Sequence, residues 1–419
     1  SGEAGIGKTA LADDLARRAV ESGALVLVGH CYDLTMTPPY GPWLEISEQY
    51  HAGGGRPVVP DVLRRGTGIG DLTRQGALFD IARAFFTAVT RRTPAVLILE
   101  DLHWADPASL DLLRYLARQM QHEPILIVGT YRSDEVTAQH PLSPLLPALV
   151  REAGAERIEL RHLGSDDVRE LVDGRYGLPA PDASRLAAYV IDRTEGNPLY
   201  IREVLRTLEE ESLLRLDVGR WSLAELDRAV VPTLIQQVIA GRAARLSQEA
   251  RDLLSVAAVI GQYVPIELWR TVTDVSEDEL LGTVDLAVAA KFMDVTSDGR
   301  AARFVHALVR EALYEQVVPT RRRRWHRLVG EQLIAERPLD ADAVAYHFQQ
   351  AGDERAVDWL VQAGERANRT YAWQTAGQRF TAAAKLMEHD STRARDRGWL
   401  LYRVGRMLRL SRPSAGVEY

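Results

Sequence analysis

Lysine is almost absent from this chain. Of the 51 Lys and Arg among 419 residues, only Lys8, Lys291 and Lys385 are lysine. Cysteine is scarcer still: Cys31 stands alone, which excludes a disulfide framework and a cysteine-rich zinc site. The ten His are scattered and form no metal-ligand cluster. Long apolar runs are missing too. Those present, such as residues 96–99, fall far short of the roughly 18 residues a membrane span needs. No charged leader followed by an apolar stretch opens the chain. A basic excess is also lacking, since the net charge is −7, and this argues against a surface built for nucleic acid or an anionic membrane. Together these absences predict a cytoplasmic protein without membrane contact.

What is present is ordinary for a globular protein. Hydrophobic residues make up 46% and charged residues 26%, too apolar a mix for disorder. The length allows about three domains of roughly 150 residues. The one lysine of the first 290 residues lies in Gly2-Glu3-Ala4-Gly5-Ile6-Gly7-Lys8-Thr9. That octet fits the phosphate-loop pattern G-x-x-x-x-G-K-[ST]. Its glycines let backbone N–H groups curl around phosphate oxygens, and the helix that follows aims its N-terminus at the same charge. Lys8 suits the β- and γ-phosphates, and the Thr9 hydroxyl suits Mg²⁺. Leu11, Leu15 and Ala19 form a helical stripe behind the loop.

A second motif follows in Val96-Leu97-Ile98-Leu99-Glu100-Asp101, a buried strand ending in two acids. One acid would hold Mg²⁺ and the other orient a water. Which of Glu100 and Asp101 meets the metal stays open. Residues 125–129 form another buried strand that runs into Thr130-Tyr131-Arg132, where Arg132 reads as a sensor of the γ-phosphate. A weaker strand is predicted at residues 157–160. Strands alternating with helices predict an α/β P-loop NTPase core with a parallel sheet. The sensor strand would lie between the phosphate-loop strand and the acidic one, the ASCE arrangement. The chain opens directly on the glycine loop, so the first strand is expected to be missing and the chain to be a fragment of a longer protein.

Beyond residue 163 the pattern turns helical, with breaks at Gly177 and Gly196-Asn197-Pro198. A hairpin is predicted within residues 293–304, with Ser297-Asp298-Gly299 at its turn. From Arg321 onward amphipathic helices carry aromatic anchors such as Tyr346, Trp359 and Phe380. The expected division is a P-loop ATPase core at 1–163 and an all-α lid at 164–231. A winged-helix-like module at 232–320 and incomplete tetratricopeptide-like (TPR-like) repeats at 321–419 follow.

At this point a family resemblance is specific. Leu97-Ile98-Leu99-Glu100-Asp101-Leu102-His103-Trp104-Ala105-Asp106-Pro107 resembles the second motif of the origin-recognition-like AAA ATPase domains of signal-transduction ATPases with numerous domains (STAND). Glu195-Gly196-Asn197-Pro198-Leu199-Tyr200 resembles that class's lid motif. Phe304-Val305-His306-Ala307-Leu308-Val309-Arg310-Glu311-Ala312-Leu313-Tyr314 is similar to the region after the winged helix in large LuxR-type regulators and ATPase-fused adenylate cyclases. The resemblance implies a switch that binds ATP or ADP with Mg²⁺ and turns over slowly. ADP would hold a closed monomer, and ATP with an inducer would open it for self-association. Pro198 would pack near the adenine. His306 would touch the β-phosphate or serve only to cap its helix, and Trp104 reads as packing. An inducer or protein partner would sit on the helical repeats, and DNA would be reached only through an output domain outside this stretch. Two alternatives remain: a non-hydrolysing nucleotide-bound scaffold, and a DNA-binding replication-initiator-type ATPase, against which the acidic balance speaks.

Overall fold

The structure is a computed structural model that describes residues 1–32, 38–50, 57–64, 75–217, 219–226, 239, 241, 243–296, 298–335 and 339–411. The glycine loop leads into α1 (Lys8–Glu21), followed by β1 (Leu25–His30), α2 (Gly41–Gln49), α3 (Gln75–Thr90), β2 (Ala95–Glu100), α4 (Pro107–Gln119), β3 (Ile125–Gly129) and α5 (Leu142–Ala153). The three strands form a parallel sheet in the order β1-β2-β3. Its register sets Leu25 beside Ala95, His30 beside Glu100, and Leu99 beside Gly129. Every residue of β2 is buried, as its unbroken apolar run requires of a strand covered on both faces. Val96 and Ile98 face one cluster with Ala12, while Leu97 and Leu99 join Trp43, Ile46, Phe86 and Leu112 on the other side. The inner face of α1 is therefore the small-residue row Ala12, Ala16 and Ala19. Leu11, expected on that face, is 51% exposed, because a helix lying close on a flat sheet leaves no room for leucine at the contact.

The first residues are tied in on two sides. Gly2 forms a parallel bridge to Arg132, just past β3. Ser1 donates its N–H to the Ile158 carbonyl at 2.7 Å and accepts from Leu160 N–H at 2.8 Å. The 157–160 segment, expected as a weak strand, is not one; its only ladder partner is a single residue, and one residue makes no strand.

The lid holds α6 (Ser165–Tyr176), α7 (Ala180–Thr194) and α8 (Pro198–Glu210), broken where the glycines lie, and then the hairpin β4 (Leu214–Asp217) and β5 (Arg220–Leu223). A lid of helices alone was expected. The hairpin was hidden because Arg215, Asp217 and Arg220 are exposed polar residues on strands of only four residues. The 231/232 boundary lies outside the described residues.

Next come α9 (Gln248–Ile260), β6 (Tyr263–Pro265), α10 (Ile266–Thr273), α11 (Glu277–Ala289), β7 (Met293–Val295), β8 (Ala301–Phe304) and α12 (Ala307–Gln316). The strands pair antiparallel in the order β6-β8-β7, a small winged sheet against helices. The predicted hairpin is present, although Ser297 of its turn lies outside the described residues.

The chain ends in α13 (Pro319–Ala335), α14 (Ala341–Ala351), α15 (Ala356–Arg369), α16 (Trp373–Leu386) and α17 (Ala394–Ser411). A repeat is visible in their packing. A Cβ on Gly330 would lie 2.9 Å from the Phe348 ring, and one on Gly364 would lie 2.5 Å from the Phe380 ring. Gly364 follows Gly330 by 34 residues, the period of tetratricopeptide repeats. These helices fold back on the N-terminal α/β core, where Ala372 and Phe380 share one apolar cluster with Leu110, Leu113 and Leu145. Among the described residues no helix is long and apolar enough to cross a membrane.

Candidate nucleotide-binding site

The loop between Gly2 and Lys8 turns on left-handed backbone at Gly5 (φ 77°) and Gly7 (φ 101°). Such φ values favour glycine. At Gly5 there is a second reason: a Cβ there would lie 2.8 Å from the Leu199 Cβ. Ile6 is buried and anchors the loop from below. Gly7, at the N-cap of α1, offers no side-chain cap, so the first N–H groups of the helix face the loop as free donors. The Lys8 ammonium folds over the loop and donates to the Gly2 carbonyl at 2.9 Å and the Glu3 carbonyl at 2.7 Å. Burial lowers its pKa, against the opposing pull of the Asp101 charge. Thr9 is exposed on the first turn of α1. Glu3 points away from the loop and lies 3.1 Å from His162.

The two acids at the end of β2 face different neighbours. Asp101 leaves the strand on left-handed backbone (φ 56°). Burial raises its pKa, while Arg132 and Lys8 pull it back. Glu100 is buried beside β1, with its carboxylate 3.7 Å from His30 Nε2. Burial raises its pKa as well, His30 opposes, and the charges of Asp101 and Asp13 add to the rise. Asp13 stands four residues after Thr9 on α1, so both share a helix face, and Glu100 looks toward that face. Hard oxygen donors of this kind, a hydroxyl and one or two carboxylates, suit Mg²⁺ that is completed by phosphate oxygens. Among the described residues no cluster of three or more His, Cys, Asp or Glu forms a self-sufficient metal cage.

Arg132 is 9% exposed. Its Nη1 donates to Glu135 at 2.5 Å and lies 3.6 Å from Glu311 of α12. Arg132, Asp101 and Lys8 are thus brought together, with Glu100 on the β1 side of Asp101, and α12 reaches Arg132 through Glu311.

The lid closes on the loop from above. Asn197 caps α8: its Oδ1 accepts from Leu199 N–H at 3.1 Å, and its Nδ2 donates to the Ala4 carbonyl at 3.0 Å. Leu199 N–H also approaches the Gly5 carbonyl at 3.2 Å. Pro198, at the first position of α8, sits between these two contacts. Gly196 makes the approach possible. Its φ is 83°, and a Cβ would lie 2.1 Å from the Leu163 carbonyl oxygen. Gly196→Ala is expected to lower unfolding stability by about 3 kcal/mol, the upper end of the cost of strained backbone. An unchanged urea midpoint would show that the lid does not depend on this seat.

His306 is the N-cap residue of α12, and Arg202 Nη2 of α8 lies 2.6 Å from its Nε2. Burial and the Arg202 charge lower its pKa to about 4, so the ring is neutral and accepts from the guanidinium. Here it joins the lid to the winged-helix-like module.

Sequence reasoning missed several residues of this site. His30 stands opposite Glu100 across the strand register, with Nδ1 2.8 Å from Glu45 and Nε2 3.3 Å from Arg303 Nη1 of β8. Burial alone would lower its pKa; the hydrogen bond and charge of Glu45, with Glu100, carry it upward. Arg202, Glu311 and Arg303 come from distant segments and have no local signature. Asn197 lay within the predicted break Gly196-Asn197-Pro198, and the structure makes it the cap of α8.

Known proteins share parts of this fold. A model described as AAA ATPase domain matches residues 1–128, and a domain of unknown function matches residues 164–221. An uncharacterized protein of Rhizobium meliloti is 29% identical over 317 residues, 71% of this chain and 28% of its own length. The peroxide stress-activated histidine kinase mak3 of Schizosaccharomyces pombe is 21% identical over 315 residues, 70% of this chain and 13% of its own. The chain therefore spans less than a third of either relative. Among solved structures, a STAND protein with a tetratricopeptide repeat sensor from Pyrococcus horikoshii aligns with a TM-score of 0.51 at 14% identity, covering 100% of this chain and 59% of that one. The chain carries an AAA ATPase domain at its start, and its fold is that of a STAND ATPase with a tetratricopeptide repeat sensor.

Proposed function

We propose that the chain is the nucleotide-gated switch of a larger regulator, binding ATP or ADP with Mg²⁺ and hydrolysing ATP slowly. The observation that carries this reading is the setting of Arg132. One guanidinium faces the Asp101 and Lys8 group on one side and Glu311 of the winged-helix-like module on the other. A group so placed couples the third phosphate of a nucleotide to the packing of that module. In this reading Gly2, Glu3, Ala4, Gly5, Ile6 and Gly7 present backbone donors to the phosphates, Lys8 supplies the charge, and Pro198 bounds the base side. Thr9 and Glu100 hold Mg²⁺, which would neutralise phosphate charge when bound. Asp101 orients water, and Arg132 meets the γ-phosphate. His306 acts through Arg202 to hold the lid against the module.

The division into core, lid, module and repeats at 163, 231 and 320 belongs to the same proposal. So do a cytoplasmic setting, an inducer or protein partner on the repeats, and ATP-dependent self-association. An output domain outside this stretch, a LuxR-type DNA-binding domain or a cyclase, completes the reading.

Phosphate release from ATP tests hydrolysis directly. Slow turnover is expected, and Asp101→Ala should reduce it about a hundredfold, the scale of a lost general base. Glu100→Ala should restore part of its rate at high Mg²⁺. Wild-type rates in both variants would end the hydrolytic reading, and no release from the wild type would leave a nucleotide-bound scaffold.

A further inference from the structure

We propose that Trp104 is a positioning residue for Arg132, holding the guanidinium by its face and so setting how well the chain tells ATP from ADP. The proposal rests on the reading of Arg132 as the group that meets the γ-phosphate. Residues 102–104 form a single tight turn after the left-handed Asp101. That turn is pinned to the end of β3. Asp101 N–H donates to Thr130 Oγ1 at 3.0 Å, and Leu102 N–H donates to the Thr130 carbonyl at 2.8 Å. Arg132 is thereby brought opposite His103 and Trp104. His103 Nδ1 accepts the Arg132 backbone N–H at 3.3 Å, so the ring proton sits on Nε2, which lies 3.7 Å from the Glu135 carboxylate. The two rings lie against each other, with centroids 4.4 Å apart. The Arg132 guanidinium carbon stands 5.0 Å from the Trp104 ring centroid.

The physical point is what each contact leaves free. A guanidinium carries its five donors in its plane. Glu135 accepts from Nη1, and Glu311 stands 3.6 Å from the same nitrogen, so both compete with a phosphate oxygen that approaches that nitrogen. An aromatic face engages none of them. Trp104 therefore holds Arg132 in place while its edge is passed from carboxylate to phosphate. Arginine has many rotamers, and a partner that does not compete with the phosphate lowers the cost of ordering it in the ATP-bound state. Trp104 is half-buried and also touches the main apolar cluster, so packing is the rival explanation and the test must separate the two.

The ratio of Kd for ADP to Kd for ATP is measured, with Mg²⁺, in wild type, Trp104→Met, Arg132→Ala and the double variant. In Trp104→Met the ratio is expected to fall about fivefold, with no further fall when Arg132→Ala is already present. Trp104→Phe, with a weaker ring, is expected to fall about twofold. A packing role would lower the melting temperature and weaken both nucleotides together, and an unchanged ratio in Trp104→Met would overturn the proposal. Should Trp104→Met give no folded protein, the cycle with Trp104→Phe carries the test. An equal fall with and without Arg132 would then overturn it. Arg132→Ala leaving the ratio at the wild-type value would instead remove Arg132 as the sensor, and this proposal with it. Lys8→Ala distinguishes that failure from loss of the nucleotide site altogether.

Discussion

Lys8→Ala is expected to weaken ATP and ADP at least about a hundredfold, a loss near 3 kcal/mol, as when one partner of a desolvated charge pair is truncated. The reason is local. The ammonium is half-buried at the mouth of the loop and already donates to the Gly2 and Glu3 carbonyls. A phosphate would compete for a charge that burial has made costly to hold. Because burial lowers the lysine pKa, the charged side chain gives little to the fold, and the variant should melt close to wild type. Unchanged nucleotide affinity by titration would remove the phosphate loop from the site and the switch reading with it. Lys8→Arg is expected to fail almost as fully: a planar fork is broader than an ammonium and needs a wider cradle. This gives a physical account of a chain that uses arginine nearly everywhere and lysine at this one place in its first 290 residues.

How much of this was legible beforehand depends on distance along the chain. The phosphate loop and the acid pair are contiguous, and their chemistry dictates both residue type and spacing. The unbroken apolar run of β2 announced a strand buried on both faces. The break at Gly196 was visible too, although only the structure shows that it seats the lid against Leu163. On α1, hydrophobic periodicity reads Leu11, Leu15 and Ala19 as the stripe; close helix–sheet packing keeps Ala19, adds Ala12 and Ala16, and leaves Leu11 exposed. The β4-β5 hairpin was lost in polar sequence. His30, Arg303, Arg202 and Glu311 were illegible for another reason. Their roles come from strand register and from the docking of a module more than 100 residues away, and neither leaves a local pattern. The resemblance left His306 between a β-phosphate contact and a helix cap; the structure places it at the N-cap position of α12 with Arg202 2.6 Å from its ring, a pairing that no local pattern announces.

Glu311→Gln is expected to tighten ATP roughly tenfold while leaving ADP unchanged, a coupling within the usual range for linked sites. Glu311 and a γ-phosphate are both anions that would lie against one guanidinium. Each must therefore weaken the other, and by reciprocity the factor by which ATP loosens the module equals the factor by which the docked module weakens ATP. Gln keeps the size and removes the charge, so Arg132 is released to the nucleotide without a cavity. Arg303 beside His30 provides a second contact between the module and the core. It is cationic and lies toward Glu100, so it favours docking irrespective of the third phosphate and should keep the ADP-bound variant closed. With ATP, the variant should show a larger radius of gyration in small-angle scattering, and light scattering should show self-association at lower ATP than in the wild type. The same ATP-to-ADP ratio and radius as the wild type would mean that Glu311 is only a surface partner of Arg132. Gain of opening in Glu311→Gln, abolished by adding Arg132→Ala, would identify this one ion pair as the place where the presence of a third phosphate is converted into a change of packing.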